Sequence, residues 1–242
     1  VPDLNDVGHR LRQFCETYVL DGDVVRRQGI RQGDALARLW LHLVRNPGVL
    51  LNPTQLANEA GVKRETVDGW LAALQQAELV VAVPPSDRAG RPTYGKQRFP
   101  RCYPVDHSLC AAYGLPADEG PALETMVIRH LSAYAQRVSA ERGEHVEISY
   151  WNDKSTDGPN EVDFRLMAGD RSALIEVKGT TNPERYADRV ARVATELGCK
   201  SAVLVHIGHS RTDVMKKGIK IRLWPIIDFA RALEPAAPLP KV

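Results

Sequence analysis

Glu161-Val162-Asp163-Phe164-Arg165-Leu166-Met167-Ala168-Gly169-Asp170-Arg171-Ser172-Ala173-Leu174-Ile175-Glu176-Val177-Lys178 decides the fold of this chain. It reads as two strands, Val162–Met167 and Ala173–Val177, folded back on each other through Gly169-Asp170. A strand sends successive side chains to opposite faces. Glu161, Asp163 and Arg165 therefore share one face, and Leu174, Glu176 and Lys178 share a face of the next strand. A hairpin brings Asp163 towards Glu176, with Lys178 beside them. Charges at the ends of mostly apolar strands are costly to desolvate and need a reason. Alone, a Glu-x-Lys pair on a strand reads as a surface ion pair; with an acid on the neighbouring strand it reads as a site.

A hard divalent ion supplies one reason. Mg²⁺ takes oxygen ligands and keeps several waters, so two carboxylates plus a substrate phosphate suffice. Mn²⁺ suits the same donors. On this reading Asp163 and Glu176 hold the metal, and Lys178 orients a water or stabilises charge developing on phosphorus. Glu124, near the start of a long helix preceding the strands, supplies a third carboxylate.

Outward from the hairpin, helical and strand patterns interleave. A helix spans about Ala122–Ala140 and a strand Val146–Trp151. After the hairpin come a helix at Pro183–Leu197, with proline in its first turn and Gly198 behind it, strands Ala202–Ile207 and Ile219–Leu223, and a short helix Ile226–Leu233. Before residue 84 the pattern is helical: Val7–Val19, Gly33–Val44, Thr54–Ala60 and Arg64–Ala77, then a strand Leu79–Val83. Asn52 and Thr54 offer N-cap chemistry, and Gly61 supplies a turn between two helices. Ala57, Gly61 and Val67 suit two helices crossing steeply, a helix-turn-helix, and the strand and basic loop behind it make a winged helix.

The expected architecture is thus α+β or α/β: an N-terminal winged helix-turn-helix, then a restriction-endonuclease-like mixed sheet flanked by helices. The expected segments are 1–83, a helical domain; 84–120, a Pro/Gly-rich wing and connector; 121–233, the nuclease-like domain; and 234–242, a proline-bearing tail.

The candidate nucleic-acid contacts are local, because 32 Lys+Arg against 30 Asp+Glu leave a net charge of only +2. Lys63 and Arg64 stand at the exposed start of the second helix of the motif, but Glu65 and Asp68 offset them. Arg88, Arg91, Lys96, Arg98 and Arg101, interleaved with Tyr94 and Phe99, suit a nucleic-acid backbone better. Lys216 and Lys217, with Lys220 and Arg222, form a second basic cluster, read equally as the side of a DNA groove or as a solvated strand edge.

Other signals lead nowhere. Gly90 to Lys96 matches G-x4-G-K, but Gln97 stands where Ser or Thr is needed for magnesium, and Pro100 and Pro104 forbid the helix that should follow. This excludes ATP binding at that loop. His206 and His209 have no third ligand and read as core or surface histidines. The four cysteines, Cys15, Cys102, Cys110 and Cys199, form no CxxC pair. They read as buried reduced thiols and suit a cytoplasmic protein. No apolar run approaches the roughly 18–20 residues of a membrane span. The chain opens on Val1 rather than Met, and reads either as a processed form or as a piece of something longer.

The element order, with acid on the second strand and Glu-x-Lys on the third, resembles the PD-(D/E)xK nuclease superfamily, with Val162 where its proline often stands. Further stretches narrow the likeness: Leu56-Ala57 to Leu79, Arg101-Cys102-Tyr103-Pro104-Val105-Asp106, Gly120 to Val127 around Glu124, and Tyr150-Trp151. With the two strand motifs they are similar to the C-terminal region that follows the AAA+ module in a large family of prokaryotic ATPases. Leu123 stands where that family often has Phe, and Asn152 where Arg is common. The resemblance implies an ATPase module upstream of this chain. It leaves two readings open: a Mg²⁺-dependent DNA phosphodiesterase using Glu124, Asp163, Glu176 and Lys178, or a non-catalytic DNA- or protein-binding module on a nuclease-like fold. A plain transcription regulator explains only the first half of the chain. The oligomeric state is not legible.

Overall fold

The computed structural model describes residues 4–26, 32–93, 98–115, 118–153 and 160–233. The chain divides into two units: Val1–Ala82 with Phe99–Thr125, and Val83–Arg98 with Met126–Val242.

The first unit begins with helix α1 (Leu4–Gln13), which runs on in wider π-type turns to Arg26, and α2 (Gly33–Arg45). Leu36, Leu39, Trp40 and Leu43 recur at helical spacing and are all buried. A short strand β1 (Val49–Leu50) leads to α3 (Pro53–Ala60) and α4 (Arg64–Gln76). The Asn52 side chain caps α3, accepting from the N–H groups of Thr54 and Gln55 at 3.2 and 3.3 Å. Gly61 closes α3 at φ +68°, a left-handed conformation that costs glycine little. α4 then buries Val67, Trp70, Leu71 and Leu74 in one core with α2. Strands β2 (Val80–Val83) and β3 (Arg101–Pro104) complete a three-stranded sheet of order β1-β3-β2, with β1 antiparallel to β3. α5 (Ser108–Ala112) adds Leu109 and Cys110 to the core. β1, β3 and α5 escape the sequence reading because they are too short to display a period; pairing and core contacts define them.

α6 (Glu119–Arg142) contributes its first turns to the first unit and the rest, from Met126, to the second. There follow β4 (Val146–Asp153), β5 (Asn160–Ala168) and β6 (Arg171–Lys178). A 3₁₀ turn (Pro183–Tyr186) enters α7 (Ala187–Glu196). Then come β7 (Ser201–His206), β8 (Thr212–Lys216), β9 (Ile219–Pro225) and α8 (Ile226–Ala232). The strands form one mixed sheet of order β4-β5-β6-β7-β9-β8. β5 is antiparallel to both its neighbours, β4 and β6; β6 and β7 are parallel, β7 and β9 parallel, and β8 antiparallel to β9. The switch to parallel pairing needs a long crossover, which α7 provides. Its apolar stripe, Val190, Ala191, Val193 and Ala194, packs with Leu174, Leu204, Ile221 and Leu223 of the sheet.

β8 is absent from the sequence reading. It is an edge strand with only Val214 and Lys216 half-buried, so no apolar alternation announces it. It turns into β9 through Lys217 (φ +52°) and Gly218 (φ +77°), the pair of positive φ angles that a tight two-residue hairpin takes.

The stretch expected as a wing and connector, 84–120, divides between the two units. Its first part lies along the edge of β4. Tyr150 donates its backbone N–H to Pro84 O at 2.9 Å, and Ser86 donates to Tyr150 O at 2.8 Å. Arg165, buried in β5, donates to the carbonyls of Asp87 (3.3 Å), Arg88 (3.0 Å) and Leu197 (3.3 Å). Gly90 lies so close above it that an added Cβ would meet Met167 Sδ at 2.7 Å and Arg165 Cζ at 2.8 Å. Backbone carbonyls hold the segment to the sheet, and carbonyls have no signature in sequence. Residues 234–242, the expected tail, lie outside the described residues.

Candidate active site

The site begins with the hairpin turn. Gly169, at φ +61°, and Asp170 join β5 to β6, and the register pairs Ala168 with Arg171 and Phe164 with Ile175. Counting on, Asp163 stands opposite Glu176. There the Asp163 side chain itself accepts the backbone N–H of Val177, Oδ2 to N at 2.8 Å.

Asp163 and Glu176 are both buried, at 6% and 2% exposure. Lys178 Nζ lies 2.7 Å from Glu176 Oε1 and 3.7 Å from Asp163 Oδ2, and donates to Val177 O at 2.9 Å. Three of the four catalytic residues expected from the sequence, Asp163, Glu176 and Lys178, therefore converge. A further member of the cluster was not named: Arg189, in the first turns of α7, donates one Nη to Glu176 Oε1 and the other to Glu161 O at 3.0 Å. The available signal was a cation beside the apolar stripe of the crossover helix, directly after the Glu-x-Lys strand.

Burial raises the Glu176 pKa, and the Asp163 charge adds to it. Lys178 and Arg189 oppose them without prevailing, so Glu176 is pushed up to about 7. Burial lowers the Lys178 pKa, but Asp163 and Glu176 outweigh it and hold the ammonium above its ordinary value. Lys178 thus stays charged at neutral pH, while Glu176 titrates there.

The pair offers a metal two hard donors. Asp163 Oδ1 and Glu176 Oε2 take no hydrogen bond from a described residue, since all contacts fall on Oδ2 and Oε1. Among the described residues no three His, Cys, Asp or Glu side chains gather as a complete metal cage. Two carboxylate oxygens still fit a Mg²⁺ ion that completes its shell with water and substrate.

Glu124, expected as the third carboxylate, belongs to the first unit, where it accepts the Tyr103 hydroxyl at 2.8 Å. His206 ends β7 in register with Lys178 of β6. Its imidazole is buried, which holds its pKa below the ordinary value, and Nδ1 accepts the Gly208 N–H at 3.0 Å. It is a core histidine; His209 is exposed.

The candidate nucleic-acid cations divide between the two units. Lys63 and Arg64 are exposed at the start of α4, and Arg64 faces Asp68 at 3.6 Å. Arg88 pairs with Glu196 at 3.0 Å, Arg91 with Asp87 at 3.6 Å, and Arg98 donates to Ser86 O at 3.2 Å. Arg101 is half-buried on β3 in the other unit, and Lys96 lies outside the described residues. Lys216 faces Asp188 at 3.4 Å, while Lys217 is exposed at the hairpin tip.

Residues 3–119 match the model of one domain of unknown function, DUF8612, and residues 119–226 match that of another, DUF4143. The change falls at the first residue of α6. No curated protein matches the sequence. Among solved structures the chain is similar to protein VC1899 from Vibrio cholerae, with 16% identity, 85% of this chain and 47% of that chain covered, and a TM-score of 0.29. The chain spans less than half the length of that protein. No helix among the described residues is long and apolar enough to cross a membrane.

Proposed function

We propose that this chain is the DNA-cleaving module of an AAA+ ATPase: a winged helix joined to a PD-(D/E)xK-like domain that hydrolyses phosphodiesters with Mg²⁺ or Mn²⁺. The observation that carries the reading is the convergence of Asp163, Glu176 and Lys178 in one buried cluster. A buried set of charges is a weak source of stability, and a carboxylate whose pKa is driven towards neutrality marks a candidate functional site. The AAA+ association is supported by the sequence resemblance and by the second domain family, which occurs in AAA ATPase contexts. The winged-helix reading is supported by α3, Gly61 and α4 in succession and by the sheet order β1-β3-β2.

Asp163 and Glu176 would hold the metal. Bound there, it would supply a water acidic enough to attack and would offset charge on the phosphodiester. The chain's own residues do the rest. The Val177 N–H fixes one Asp163 oxygen, which leaves the other pointing away from the backbone contact. Lys178 keeps its proton and presents a cation to the phosphate oxygens as charge builds on them. The crossover α7 closes the site on the side of Glu176 through Arg189.

The second reading, a binding module without turnover, has its own support. With both carboxylates ionised, Lys178 and Arg189 balance them, and a balanced cluster stands without a metal. Cleavage of single-stranded, duplex and branched DNA with Mg²⁺ or Mn²⁺, against EDTA, separates the two. The nuclease reading expects metal-dependent cutting that Asp163→Asn and Lys178→Ala abolish. No cutting by wild type, with DNA or partner binding unaltered in both variants, favours the binding module.

A further inference from the structure

We infer that Arg189 is a built-in counter-cation of the carboxylate pair, which a divalent ion has to draw off Glu176 before it can be held there; this rests on the metal-site reading above. Two cations converge on a single oxygen, Glu176 Oε1: the ammonium of Lys178 and the guanidinium of Arg189. Lys178 belongs to the same strand, two residues on, and also faces Asp163. Arg189 comes from a separate element, α7, and its bond to the Glu161 carbonyl gives it a second anchor. It can therefore give up Glu176 and still be held at Glu161, whereas Lys178, held to Val177 O and beside both acids, keeps its place within the hairpin.

A divalent ion on Glu176 would sit against two positive charges already in place. Like charges so close in a buried setting repel strongly. Of the two, Arg189 is the one tethered from outside the hairpin. Binding is then an exchange: the metal takes the carboxylate and the guanidinium turns away from it. Coupling of this kind is reciprocal, so whatever factor Arg189 takes from metal affinity, the metal takes from the Arg189–Glu176 bond. Once the site is loaded, a cation is set loose beside it, where an anionic phosphate would bind.

The test is Mn²⁺ binding to the whole chain, followed by electron paramagnetic resonance, in wild type, Arg189→Gln and Arg189→Lys. The inference expects Arg189→Gln to bind Mn²⁺ about tenfold more tightly and Arg189→Lys, which keeps the charge, to stay near wild type. Equal or weaker binding by Arg189→Gln overturns it, and means that Arg189 positions Glu176 rather than competing for it. Absence of Mn²⁺ binding in all three chains overturns the metal-site reading as well, which separates the two failures. A second measurement needs no variant at Arg189. Phenylglyoxal modification of wild type, mapped by mass spectrometry, should attack Arg189 faster with Mn²⁺ present, and the gain should vanish in Glu176→Gln. An Arg189 whose reactivity ignores Mn²⁺ overturns the inference.

Discussion

The two units solve burial in opposite ways. In the first, the buried side chains among the described residues are apolar apart from Thr125, which returns its hydroxyl to Pro121 O within its own helix at 2.8 Å. In the second, Asp163, Arg165, Glu176 and His206 are all buried, along with Ser86 and Ser149. The first unit is held by the transfer of Leu, Val and Trp side chains from water, which is indifferent to pH. The second carries buried charges that each need a partner: Arg165 has three carbonyls, Asp163 a backbone N–H, and Glu176 two cations. The contrast sets the cluster of the second unit apart. An apolar core needs no explanation beyond folding, whereas a hydrogen-bonded ionic cluster would be about as stable, or more so, if replaced by well-packed apolar residues.

The largest expected effect lies in the apolar unit. Trp40 is buried and donates Nε1–H to the Tyr113 hydroxyl at 2.8 Å. Trp40→Ala should cost about 4 kcal/mol in urea unfolding, by the same amount at pH 5 and pH 8. A loss that varies with pH would break the comparison. Next comes Arg165→Met, expected to cost about 3 kcal/mol because three carbonyls lose their donor and the segment over β4 its clamp. Faster proteolysis within 84–98 checks the second half of that statement.

Glu176 sharpens the contrast through pH. Its folded pKa, about 7, stands above the ordinary carboxylate value of 4.5. Below pH 4.5 both states hold the proton. Between there and pH 7 only the folded state does, so stability falls as pH rises through that window, by up to about 3 kcal/mol, and levels off above it. Glu176→Gln should remove this contribution; a variant with an unchanged pH profile of unfolding would show that Glu176 does not titrate there. The smallest effect belongs to Asn52→Ala, which strips the cap from α3 and should cost about 1 kcal/mol with no pH dependence, measured in the same unfolding series.

Much of this could be read before the fold was known, and unevenly. The β5–β6 hairpin was legible because alternation, a Gly-Asp turn and strand length agree, and register then follows by counting residues. Convergence of Asp163, Glu176 and Lys178 follows from that register. α3 and α4 were legible from Asn52, Gly61 and the spacing of Val67, Trp70 and Leu74. Arg189 was not, since it reaches Glu176 from a helix whose position depends on the crossover connection. Nor were the partners of Arg88 and Arg98, the Glu196 carboxylate and the Ser86 carbonyl; Asp87, the partner of Arg91, stands close to it in the sequence.

The sequence by itself determined the local structure and the pairing of neighbouring strands, because hydrogen-bond periodicity and turn geometry act over a few residues. The tertiary structure alone decided which cation shares Glu176 with Lys178. It also decided that residues 83–98 join the second unit. These contacts join groups far apart along the chain, many of them backbone carbonyls that every residue carries alike. Only packing can choose among them.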